Sequence, residues 1–184
     1  MMPPPSTASA TPSLNTSSPP SPSPSPRLAV FVSGLDDTPA GRAAVALTDA
    51  LRRRGYGLDV MAPMGGGLLR AALHPGIGQI DLAKRHTGTS VLALARIVAE
   101  RRPAGLIGVG GDAGLVALGA VRLARQGTPA AVLEEQPPSV SGVRRALRMW
   151  LHPRACIVVG GGATPPEEAA RLVLTAFGLP DEAR

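Results

Sequence analysis

The chain has 184 residues, a formal net charge of +6 and a sequence pI of about 11.1, and its only aromatics are Phe31, Tyr56, Trp150 and Phe177. The length suits one domain, and the scarcity of aromatics argues against single-stranded nucleic-acid binding, which stacks bases on aromatic platforms. A lone cysteine, Cys156, excludes an internal disulfide, and with only His74, His86 and His152 beside it no zinc site is expected.

Residues 1–26 are almost wholly Pro, Ser, Thr and Ala. Such a stretch has little to bury, so a disordered or polyproline-like tail is expected. It lacks the basic segment and apolar run of a signal peptide. No apolar run is long enough to span a bilayer, so the expectation is a soluble, cytoplasmic chain.

Residues 28–33 form a short β-rich apolar run, read as a fully buried strand. A loop follows. Residues 40–54 carry Val45, Leu47, Ala50 and Leu51 at helical spacing, and Gly55 stops the helix. Residues 58–62 read as the second strand. Pro63 and the run Gly65, Gly66, Gly67 open a flexible connection. A weaker strand spans 77–82. Thr89 or Ser90 caps a helix running to about Arg101. Pro103 and Gly105 separate it from a strand at 106–109. Gly110, Gly111 and Asp112 lead into a helix at 115–125. Gly127 and Pro129 precede a strand at 130–133. A polar loop, 134–141, leads to a short basic helix at 143–150. The last strand, 155–159, holds Cys156, read as a buried structural thiol. A turn at 160–166 and a helix at 167–177 follow, with Thr164 as cap, Glu167 as its capping-box partner and Gly178 as stop.

Strand and helix alternate throughout. This implies an α/β fold: one Rossmann-like, doubly wound parallel sheet over residues 27–184, with helices on both faces, behind the tail 1–26. Ligands of such sheets sit outside the carboxyl ends of the strands. The loops 34–41, 110–114, 134–141 and 160–166 are therefore the candidate site. At 110–114 the glycines would let backbone N–H groups approach an anion, or Asp112 simply caps the helix. Glu134 and Glu135 could include a general base, or form a solvated loop. Glycines 160–162 offer free N–H groups, or only a tight turn. The arginine excess is either solvated helix faces or a surface for anionic lipid or a phosphorylated ligand.

Several segments in order resemble the N-terminal domain of family 4 glycosyltransferases. They are residues 40–60, 80–82, the helix ending in Arg101, Arg102 and Pro103, then 117–124, 129–135, 151–155 and 177–180. Together they cover nearly everything after the tail. The resemblance implies the GT-B architecture of two facing Rossmann-like domains, of which this would be the acceptor-binding half. The donor-binding half would be supplied by a separate chain, and this half would not transfer sugar alone. No cofactor is implied. Thr38, Gly41, Asp112, Gly114, Glu135 and Gln136 would line the acceptor side, for a lipid or saccharide acceptor. The sequence departs from the family at four places: Thr38 and Pro39 stand where a glycine pair is common, Gln136 where a histidine follows the glutamate, Gly114 for an asparagine and Gly161 for a serine. Either the acceptor differs or the site is worn.

Two other readings stand beside this one. Arg144, Arg145 and Arg148 surround Leu147 and Trp150, a pattern that fits a partner protein or an anionic membrane surface at the inner membrane face. Gly110, Gly111 and Asp112 could instead serve a small nucleotide-binding enzyme.

Overall fold

In the computed structural model, which describes residues 25–134, 157–160 and 164–183, six strands form one parallel sheet. They are β1 (Arg27–Val32), β2 (Gly57–Ala62), β3 (Gly78–Asp81), β4 (Gly105–Val109), β5 (Ala130–Glu134) and β6 (Ile157–Gly160). The order across the sheet is β3-β2-β1-β4-β5-β6, and every neighbouring pair is parallel. The chain thus works outward from β1 to one edge, returns to β1's other side and works outward again. The switch point lies between β1 and β4.

Alternate side chains of one strand feed two cores. Leu28, Val30 and Val32 of β1 join Leu58 and Val60 of β2 and Ile107 and Val109 of β4 on one face. Helices α1 (Pro39–Arg53) and α4 (Pro166–Phe177) cover that face with Leu47, Leu51, Val173 and Leu174. Ala29 and Phe31 point the other way, to Met61 and Leu106. There α2 (Val91–Arg101) and α3 (Gly111–Ala124) supply Leu94, Val98, Ala113 and Ala117. Burial on both sides explains why the strands read as unbroken apolar runs. Each large side chain so buried contributes about 1.5–3 kcal/mol.

Several boundaries differ from the sequence expectation. α3 begins at Gly111, a full turn earlier than 115. Its cap position is Gly110, so Asp112 sits inside the first turn instead of capping it. The two glycines responsible have packing reasons: a Cβ on Gly114 would overlap Val132, and one on Gly108 would come within 2.7 Å of the Gly114 Cα. α3 lies close on β4 and β5 because both lack side chains, and that contact outweighs poor helix propensity. Before α2, Thr89 and Ser90 belong to a 3-10 turn (Thr87–Ser90), and both hydroxyls donate to the His86 carbonyl instead of capping the helix. At α4 the cap position is Pro165, and the Glu167 carboxylate accepts from Arg53 and Arg54. Residues 1–24 of the expected tail, the expected basic helix 143–150 and Cys156 lie outside the described residues.

The segment after α4 is tied to the amino-terminal edge of the sheet. Gly178 ends the helix in the left-handed conformation, with φ +68°. The Tyr56 hydroxyl donates to the Pro180 carbonyl, Ala183 N–H donates to Arg54 O at 2.8 Å, and Arg54 pairs with Asp181 at 3.1 Å. Arg27, where β1 begins, lies at the same edge. There the buried Asp59 carboxylate bonds Arg27 at 2.6 Å and Arg101 at 3.4 Å.

Candidate functional site

The carboxyl ends of β1, β2 and β3 open into a cleft of about 420 Å³, lined by Ser33, Gly34, Asp36, Pro63, Met64, Gly66, Gly67, Arg85, His86 and Thr87. Its size suits a small ligand. It starts at the β1 side of the switch point and extends toward β3, where α/β sheets bind ligands.

Three loops build it. The first leaves β1 through Ser33 and Gly34. A Cβ on Gly34 would lie 3.1 Å from Asp36 Oδ2, so the Asp36 carboxylate folds back over the end of the strand. Thr38 then caps α1, its Oγ1 accepting from Gly41 N–H at 3.1 Å. The second loop follows β2 and carries the glycine run. Leu69 N–H donates to Leu35 O at 2.8 Å, fastening this loop to the first. The third follows β3. Leu82 N–H donates to Ala62 O at 3.0 Å and Lys84 N–H to Pro63 O at 2.8 Å. Between them Ala83 takes φ +51°, with its N–H donating to Asp81 Oδ1 at 2.7 Å. That turn, unusual for a residue other than glycine, carries Arg85, His86 and Thr87 onto the cleft wall.

The cleft is charged on two sides. Asp36 lies at the β1 end, and Arg85 and His86 lie at the β3 end. All three are exposed. Among the described residues, no side chain forms an ion pair or hydrogen bond with the Asp36 carboxylate, the Arg85 guanidinium or the His86 ring. Asp37, beside Asp36, pairs with Arg42 at 2.5 Å. Such an arrangement can accept a hydroxyl proton at one end and bind an anion at the other. No group of three His, Cys, Asp or Glu residues comes together to hold a metal among the described residues.

No protein-family model matches the sequence, and no curated protein sequence matches it. Solved structures do match. MurG from Acinetobacter baumannii superposes with a TM-score of 0.50 at 20% identity, over 72% of this chain and 40% of that one. The glycosyltransferase SnogD from Streptomyces nogalater gives 0.45 at 21%, over 76% and 44%. CalG4, the calicheamicin glycosyltransferase, gives 0.40 at 12%, over 84% and 43%. The fold is that of a GT-B glycosyltransferase-like domain. The chain spans about 40% of the length of the MurG it matches.

Within this GT-B-like domain the residues singled out from sequence take varied places. Thr38 is engaged as a helix cap. Gly41 is buried, and a Cβ there would overlap the Asp36 carbonyl, so its need is close approach of helix to loop. Gly114 is buried against Val132. Asp112 is exposed in the first turn of α3, at the carboxyl end of β4. There the glycine loop meets α1: a Cβ on Gly110 would touch Ala40 at 3.4 Å. Glu134, at the end of β5, is buried. Glu135, Gln136, Arg144, Arg145, Arg148 and Trp150 lie outside the described residues. Ser33, Asp36, Arg85, His86 and Thr87 were not visible as a group in the sequence. The signal was faint: a carboxylate just after the first strand, and Lys84, Arg85 and His86 just after the third. No described helix is long and apolar enough to cross a membrane.

Proposed function

We propose that this chain is the acceptor-side half of a sugar-transfer system, completed by a donor-binding domain on a separate polypeptide. The observation that carries this reading is the cleft at the carboxyl ends of β1, β2 and β3 in a domain of GT-B-like fold, with Asp36 at one end. The acceptor hydroxyl would sit against Asp36. As its oxygen bonds the anomeric carbon of an activated nucleotide-sugar, the nucleoside diphosphate leaves with the bonding electrons and the hydroxyl proton passes to the carboxylate. Arg85, His86 and Thr87 would orient the rest of the acceptor. The acceptor is a lipid or a saccharide.

Co-purification from the native host, followed by a transfer assay with radiolabelled nucleotide-sugar, tests this. The expected result is a donor-domain partner, with transfer seen only when both chains are present and lost in Asp36→Asn. Transfer by this chain alone, or undiminished transfer by Asp36→Asn with its partner, defeats the reading.

A further inference from the structure

We infer that the cleft selects a phosphate ester carrying a neighbouring hydroxyl, an inference that rests on the acceptor reading above and narrows it. The carrying juxtaposition is a cationic wall and a carboxylate that share one small cleft without pairing with each other. Opposite charges at an exposed site gain little from pairing in water, so both ends stay available to a ligand. A neutral saccharide would use the carboxylate and leave the cationic wall idle. A simple anion would use the wall and meet repulsion from Asp36. A hydroxylated phosphate ester satisfies both.

The donor types agree. Arg85 keeps its charge at any pH of interest, and its planar fork matches two phosphate oxygens at once. His86 and Thr87 follow it directly in the chain and line the same wall, adding a ring N–H and a hydroxyl. Lys84 precedes them and is exposed, so it raises the local positive potential at the mouth. On the opposite wall Ser33 and Asp36 supply a hydroxyl and an acceptor-only carboxylate, the pair suited to an alcohol. Between the walls Gly66 has no atom within 4 Å of its Cβ position, so ligand atoms have room there. The volume of about 420 Å³ fits a glycerol-phosphate or sugar-phosphate head. The phosphate could belong to a soluble ester or to a lipid headgroup; the recognition chemistry is shared.

The ¹⁵N-labelled full chain is titrated with glycerol 3-phosphate and followed by amide shifts. Saturable shifts centred on Ser33, Gly34, Asp36 and Arg85, His86, Thr87 are expected. Arg85→Gln, whose native side chain holds nothing in the fold, should weaken binding about tenfold or more. Glycerol lacking the phosphate should move none of these amides at the same concentration. Asp36→Asn should weaken glycerol 3-phosphate while tightening inorganic phosphate, because the repelling charge is gone. Vesicles of phosphatidylcholine containing phosphatidylglycerol separate the sources. Arg85-dependent sedimentation with them, absent with phosphatidylcholine alone, supports a headgroup; binding of the free ester without sedimentation supports a soluble ester. Unchanged binding by Arg85→Gln, or glycerol as effective as its phosphate, overturns the inference. If maltose shifts the same amides independently of Arg85, the phosphate assignment falls and the acceptor reading survives. If none of these ligands moves a cleft amide, both fall.

Discussion

Gly67 lies flat against the backbone of Leu35, with φ +116°, where the loops after β1 and β2 touch. A Cβ there would overlap the Leu35 carbonyl and approach Asp36 N to 2.9 Å. The glycine therefore fixes how the cleft's two nearer walls meet. Gly67→Ala is expected to lose about 2–3 kcal/mol of stability from combined strain and overlap. Gly66→Ala, next in the chain and in open space, should fall within about 0.5 kcal/mol of native. Urea denaturation of both variants checks the contrast, and equal effects would refute the packing argument.

Gly105 and Phe177 form a second such pair, at the foot of β4. The Phe177 ring occupies the space a Cβ on Gly105 would need. Gly105→Ala should cost about 1–3 kcal/mol through overpacking. Phe177→Leu removes the ring and costs apolar burial, about 1–2 kcal/mol. The double variant should be more stable than the sum of the two losses implies, because the smaller side chain makes room. An additive double-mutant cycle would show that the two positions do not touch.

Tyr56 is the chain's only tyrosine, so its phenolate absorbance can be followed alone. Burial pushes its pKa up, and the charge of Asp181 adds to this. The titration midpoint is expected above the ordinary value of about 10. A raised folded-state pKa means the unfolded chain releases the proton first. The stabilisation is then complete below about pH 10 and is lost as pH rises through the folded-state midpoint. Tyr56→Phe should lose the Pro180 hydrogen bond, about 0.5–1.5 kcal/mol near neutrality, and show a flatter alkaline decline.

Glu167 faces acid in the opposite sense. Hydrogen bonds from Arg53, then Arg54, hold its pKa below the usual carboxylate range. That lowering gives stability present above about pH 4.5 and lost as pH falls through the depressed midpoint. Carboxyl chemical shifts should titrate low for Glu167. Glu167→Gln should remove this part of the acid sensitivity, and an ordinary midpoint would contradict the pairing.

Asp59 binds two arginines from separate elements where β1, β2 and α2 converge. Its carboxylate is buried, while the Arg27 and Arg101 side chains are more than half exposed. Asp59→Asn should lose about 1.5–3 kcal/mol, the range for hydrogen bonds to charged groups. Added salt should shrink the difference, because the guanidinium groups remain in contact with solvent.

The sheet was legible because its strands are buried on both faces. The runs around Val30, Val60, Ile107 and Val132 stand out without any knowledge of their neighbours, and each strand falls within about a residue or two of its expected limits. The start of α3 was not legible. Gly111 and Gly114 look like a loop by propensity, and only the nearness of Val132 and Gly108 explains Gly114. The glycines after β2 read as slack chain, yet Gly67 is packed against the Leu35 carbonyl. Arg85 and His86 could not be joined to Asp36 from sequence, since their placement depends on hydrogen bonds from β3's exit to Ala62 and Pro63. Such long-range contacts leave no local pattern to read.

Ala183 and Arg27 meet the rest of the fold beside the starts of β1 and β2, with the height of the sheet between them and the cleft. A strand of six residues rises about 20 Å. A probe, tag or immobilising anchor joined at either place would hang from the underside of the domain. Among the described residues neither place touches the cleft, and a companion domain tethered below would need a linker long enough to climb the full depth of the sheet.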